Sequence, residues 1–103
     1  MYIELEDRFE PINFKNQKLV QGDYVTTESG TLLGYMTNSL THLVDAGIDT
    51  TDVSATIITN GENASLVKKG YLVEVDGEYT AITKIIRYRD PFGSGYDTFE
   101  VLV

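Results

Sequence analysis

The pair Asp76-Gly77, set between two apolar runs, constrains this chain more than any other feature. A two-residue type I′ turn needs φ > 0 at both central positions, and Asp-Gly supplies it. The flanking runs, residues 71–75 and 79–88, are rich in Tyr, Val, Ile and Thr, which favour a pleated surface. A second turn cluster, Asp90-Pro91-Phe92-Gly93-Ser94-Gly95, leads into a last run over residues 96–103. The final third is therefore expected to form a three-stranded meander. In its last strand Phe99, Val101 and Val103 share one face, and Glu100 and Leu102 the other.

The same signals continue upstream. Residues 1–7 are read as a short strand or a helical turn. Residues 9–15 alternate, with Ile12 and Phe14 inward, and Pro11 marks an edge or a strand start because it has no N–H to give. Asn16-Gln17-Lys18 is a polar break. Residues 24–27 are expected as strand, Glu28-Ser29-Gly30 as a turn, and residues 31–37 as strand again. Gly34 there marks a bulge or a close backbone approach. A helix is expected over about residues 38–46, with Leu40, Leu43 and Val44 as its apolar stripe. Asn38 or Ser39 would cap it, and Gly47 suits its C′ position. Residues 53–59 read as strand, Asn60-Gly61-Glu62-Asn63 as a turn, and residues 64–69 as loop or short strand. Six to seven strands with one short helix predict a mainly β fold, a small antiparallel β-barrel or compact sandwich. Closure would remove the unpaired edges such a sheet otherwise exposes.

At 103 residues the chain is expected to be one β-rich domain, 1–103, able to bury a modest core. It has no Cys, which excludes disulfides, thiol catalysis and thiolate zinc sites. Its net charge of −8 disfavours a broad nucleic-acid surface. Residues 1–52 carry nine acids against three bases, and residues 53–103 seven against five. That asymmetry either favours head-to-tail contacts between copies or is simply a solvated surface. No run approaches the ~20 apolar residues of a membrane span. The acidic start lacks the pattern of a signal peptide, so a cytoplasmic site of synthesis and action is expected.

Reactive groups are sparse. His42 is the only histidine, and Asp45, three residues on, shares its helical face. That spacing fits a solvated pair or a weak metal site. Asp45, Asp49 and Asp52 lack the alternation of a calcium loop. Glu74, Asp76 and Glu78 surround a turn and read as a polar hairpin tip. Gly93-Ser94-Gly95 has no following Lys or helix, so it is no phosphate loop. Tyr71, Tyr79, Tyr88 and Tyr96 fit either core edges or an interface, and with Lys84, Arg87 and Arg89 they raise a single-strand nucleic-acid platform that the acidic balance opposes. No enzyme activity and no cofactor are expected.

A pattern spans nearly the whole chain. It begins with Glu6-Asp7-Arg8-Phe9-Glu10-Pro11-Ile12-Asn13-Phe14 and continues with Leu32-Leu33-Gly34-Tyr35-Met36 leading into a short helix. It ends with Val67-Lys68-Lys69-Gly70-Tyr71 through Asp76-Gly77-Glu78-Tyr79, then Ile85-Ile86-Arg87-Tyr88-Arg89-Asp90 and a Gly-Ser-Gly turn into a final strand. In this order the chain resembles the head-closure (stopper, head-completion) proteins of the head–tail connector of tailed bacteriophages and prophages. The resemblance implies a β-barrel-like subunit that assembles into a ring, dodecameric or hexameric. The ring would close the DNA-filled head and provide the tail attachment site. It implies partners among connector, adaptor and tail proteins, with homo-oligomerisation on assembly and a monomer in isolation. Neither sequence-specific nucleic acid nor membrane is an expected partner. The implied location is host cytoplasm during assembly, then the head–tail junction of the virion.

In that family an internal loop lines or plugs the channel. By position this is Gly47, Ile48, Asp49, Thr50, Thr51 and Asp52, with residues 17–22 as the second candidate. Lys68, Lys69, Arg87, Tyr88 and Arg89 are the candidate subunit interface. The competing readings are a tail-terminator or tail-completion protein and a small acidic protein-binding adaptor.

Overall fold

The computed structural model describes residues 7–90, 92–93 and 97–103. The expectation for residues 1–6, and parts of the 90–96 turn, lie outside the described residues. Among the described residues, seven antiparallel strands form one curled, barrel-like sheet with two short helices. They are β1 (Glu10–Val20), β2 (Asp23–Thr37), β3 (Thr56–Asn60), β4 (Leu72–Val75), β5 (Glu78–Ala81), β6 (Lys84–Tyr88) and β7 (Thr98–Leu102). Helix α1 (Thr41–Asp45) joins β2 to β3, and α2 (Gly61–Ala64) follows β3.

The spatial order is β5-β4-β1-β2-β3-β7-β6. The two end strands are consecutive in sequence. Ile82 and Thr83 join them and reach to both sides. The Ile82 N–H donates to the Tyr71 carbonyl at 2.8 Å, and the Thr83 N–H to the Leu102 carbonyl at 2.8 Å. The expected meander therefore exists only in halves. The run 79–88 pairs with β4 through its first part and with β7 through its second.

The core follows from period-two alternation. Ile12, Phe14, Leu32, Ile57, Val73, Val75, Val101 and Val103 face one interior, with Ile82 closing it at the joint. Leu43 and Leu102 are also buried but lie outside that cluster, and α1 covers the opposite face. Phe14 lies opposite Gly30, which has no side chain to displace its ring.

Several sequence expectations need correction. Asn16-Gln17-Lys18 does not break β1, and Glu28-Ser29-Gly30 does not turn; both lie inside one long hairpin. A bulge at Thr27 absorbs the mismatch, since Asn16 pairs with Glu28 but Gln17 with Thr26. Asn60-Gly61 makes no hairpin. Asn60 stays extended and caps α2, its Oδ1 accepting from the Asn63 N–H at 3.0 Å. Of the two readings offered for residues 64–69, the loop holds, with Ala64 as the last residue of α2. Neither Asn38 nor Ser39 caps α1, and Val44 is exposed. Gly47 does end the helix, with φ 79 and paired bonds from Gly47 N–H to Val44 and Ile48 N–H to Leu43, the Schellman arrangement.

Candidate interaction surface

The β1–β2 hairpin outgrows the body. Only its base packs on β4 and β3, at Phe14-Lys15 and at residues 35–37. Beyond Gln17 it continues as a two-stranded ribbon, and every residue from 18 to 31 is exposed. It gives the molecule its elongated shape, 49 Å long against 27 and 23 Å across. Gln21 (φ 51) and Gly22 (φ 87) close it in the I′ geometry, as Asp76 (φ 52) and Gly77 (φ 84) close β4–β5.

The tip of this arm is apolar. Tyr24 is 72% exposed and Leu19 58%, with Val20 and Val25 also open to water. Leu19 pairs with Tyr24, and Lys18 with Val25. Residues paired across strands share a face, and neighbours along a strand alternate. One face therefore carries Leu19 and Tyr24; the other carries Val20 and Val25 with Lys18 and Asp23. Apolar side chains on both faces make this ribbon suited to insertion between surfaces more than to lying along one.

At the opposite end of the hairpin lies an open cleft of about 600 Å³. Pro11, Ile12, Tyr35 and Met36 give it an apolar part. Glu10, Glu74 and Asp76 make its rim acidic, with Arg8 the cation among the lining residues. Asn13 donates from Nδ2 to Glu74 Oε2 at 3.3 Å, and its Oδ1 accepts from the Thr31 hydroxyl at 3.1 Å. Of the acids placed at the Asp76-Gly77 turn by sequence, Glu74 and Asp76 border this concave surface.

A second polar centre is internal. Glu100 is buried between β3 and β6, 2% exposed. His42 Nε2 donates to its Oε2 at 2.6 Å, and the Tyr88 hydroxyl to its Oε1 at 2.9 Å. Burial, and then the bond to this carboxylate, push the Tyr88 hydroxyl up to about 12. His42 therefore meets Glu100 from a distant strand, not the Asp45 its spacing indicated. The sequence signal was a lone charge inside the apolar run 99–103. Both carboxylate oxygens are occupied by the protein's own donors, which suits holding α1 to the sheet. Among the described residues no three His, Asp or Glu gather where they would hold a metal ion, and no helix is long and apolar enough to cross a membrane.

The other candidates are scattered. Residues 47–52 form an exposed loop held by Asp49, whose Oδ1 accepts from the Thr51 N–H (2.9 Å) and hydroxyl (2.6 Å). Those two bonds hold the Asp49 carboxyl below its ordinary range. Lys68 and Lys69 are exposed ahead of Gly70, beside the Ile82-Thr83 joint. Arg87 is held by Asp97 (Nε to Oδ2, 2.6 Å) and lies over Phe99; Asp97, also bonded by the Asp90 N–H, has its carboxyl lowered. Arg89 is exposed just beyond β6. The tyrosines form no common platform: Tyr71 donates to Glu28, Tyr79 lies under Lys15, Tyr88 turns to Glu100, and Tyr96 lies outside the described residues. Sequence reading missed the arm tip as an apolar surface, because Leu19, Val20, Tyr24 and Val25 look like ordinary strand residues. Comparison with protein-family models, curated proteins and solved structures returns no match.

Proposed function

We propose that this chain is a non-catalytic assembly subunit that works through protein–protein contacts within a larger particle. The observation that carries the reading is the projecting arm, whose apolar tip has no cover among the described residues. A solvated hairpin with no partner is expected to be polar at its tip, because exposed apolar strand residues invite association. Glu100, His42 and Tyr88, the one compact polar cluster described above, satisfy each other and leave no donor set aimed at a substrate.

Within that class we assign the chain to the phage head–tail connector, as a head-closure subunit. The resemblance carried by the runs at residues 6–14, 32–36 and 67–90 supports this, as does a barrel-like body. The test is capture. Purified protein is mixed with portal-bearing capsids, and separately with tails, from the genome that encodes it, and pelleted. Capture by capsids is expected. Capture by tails alone would move the chain to tail completion, and capture by neither would overturn the assignment.

A further inference from the structure

We infer that the tip of the arm inserts into the cleft at the base of the arm of a second copy of this chain. The inference rests on the reading of the chain as an assembly subunit and specifies how copies would join.

The two surfaces match in chemistry. The tip offers Leu19, Val20, Tyr24 and Val25 around one cation, Lys18, and one anion, Asp23. The cleft is lined by Pro11, Ile12, Tyr35 and Met36, by three acids, Glu10, Glu74 and Asp76, and by one cation, Arg8. Lys18 therefore meets an excess of carboxylates, and Asp23 meets Arg8. The remaining lysine of the arm, Lys15, stacks on Tyr79 of its own body, 4.0 Å from the ring centroid, which leaves Lys18 as the cation of the tip.

The match cannot be made within one molecule. Tip and cleft sit at opposite ends of β1, whose eleven residues span roughly 36 Å at ~3.3 Å each. A tip-to-cleft contact is therefore heterologous: each copy gives its tip to one neighbour and receives another's. Such contacts close into a ring or run into a filament. Four side chains of a ribbon tip bury less than the roughly 1,200–2,000 Å² typical of stable pairs. The isolated contact is weak and gains from closure, where each copy is held twice. A lipid surface is the other taker for an apolar tip. Lys18 with Asp23 gives the tip no net positive charge, and the body is strongly acidic, so an anionic membrane repels it.

The chain has no Cys, so disulfide trapping is unambiguous. A double variant, Pro11→Cys with Gln21→Cys, places one thiol in the cleft and one at the tip. Mild oxidation is expected to give a ladder of linked copies, whereas each single variant stops at dimers. Lys18→Glu should reduce the ladder about tenfold or more, because like charges then face each other. Adding Glu74→Lys should restore it. Circular dichroism and melting of each variant check that the body is folded. A ladder unchanged by Lys18→Glu and by Leu19→Ser with Tyr24→Ser overturns the proposal. So does protection of the tip by phosphatidylcholine vesicles in place of self-linking. The connector reading fails separately. Capsid binding by a protein that gives no ladder leaves that reading standing and removes this one, and a ladder without capsid binding does the reverse.

Discussion

Glu100 shows how much one residue can depend on its neighbours. A carboxylate at 2% exposure is tolerable because two donors reach it. Replacing Tyr88 by Phe removes one of them and is expected to destabilise the fold by about 1–2 kcal/mol, read from urea melts at pH 8. The difference depends on pH. The Tyr88 hydroxyl is raised to about 12 in the fold from an ordinary 10.0, so its contribution is complete below pH 10 and is lost as pH rises through about 12. Melts of the two proteins should therefore converge over that window, and a gap that stays constant would contradict it. Gly34 makes the opposite point, a residue defined by what it lacks. A Cβ there would lie 2.6 Å from Ile57 Cγ2 and 3.2 Å from the Ile58 carbonyl oxygen. Gly34→Ala is expected to destabilise by about 1–3 kcal/mol through overpacking. The close approach was legible from glycine in a strand; the partner was not.

At the scale of elements, strand ends are finished by side chains. β2 meets β3 only from Tyr35, yet the Leu33 backbone is satisfied. Its N–H donates to Asn63 Oδ1 at 2.9 Å, and its carbonyl accepts from the buried Thr59 hydroxyl at 2.6 Å. Thr59→Val keeps the shape and removes that donor, and should cost about 1–2 kcal/mol. The arm carries a different strain. Gln21 holds φ 51, a region where Asn is several-fold enriched and Gln is not. Gln21→Asn should therefore tighten the turn and slow amide exchange at the tip without changing the body. The two hairpin turns differ in how visible they were. Asp76-Gly77 carried the preferred pair, whereas Gln21-Gly22 did not, and polar residues on either side of it disguised one ribbon as three separate strands.

For the whole molecule, arm and body are separable. The core residues all lie at or below Phe14 and Gly30, so the ribbon beyond contributes little burial. Replacing residues 17–27 by Asn-Gly, between the paired Asn16 and Glu28, should leave a cooperative melt with its midpoint nearly intact. Capsid capture should fall, because copies can no longer hold one another. The joint behaves differently. Ile82 closes the interior where the two ends of the sheet come together, and Ile82→Ala is expected to cost about 2–5 kcal/mol.

What the residues determined alone was local: the period-two runs, the Asp-Gly turn, the glycine that ends α1 and hence a mainly β chain with one core. These depend on contacts a few residues apart, which spacing records. Tertiary structure decided the rest. It merged residues 10–37 into a single hairpin, because pairing with a partner strand overrides polar punctuation. It turned Asn60 from a hairpin residue into a helix cap, brought His42 to Glu100, and split the run 79–88 between two ends of a sheet. Each of those choices is made by groups distant in sequence, whose meeting no local pattern encodes.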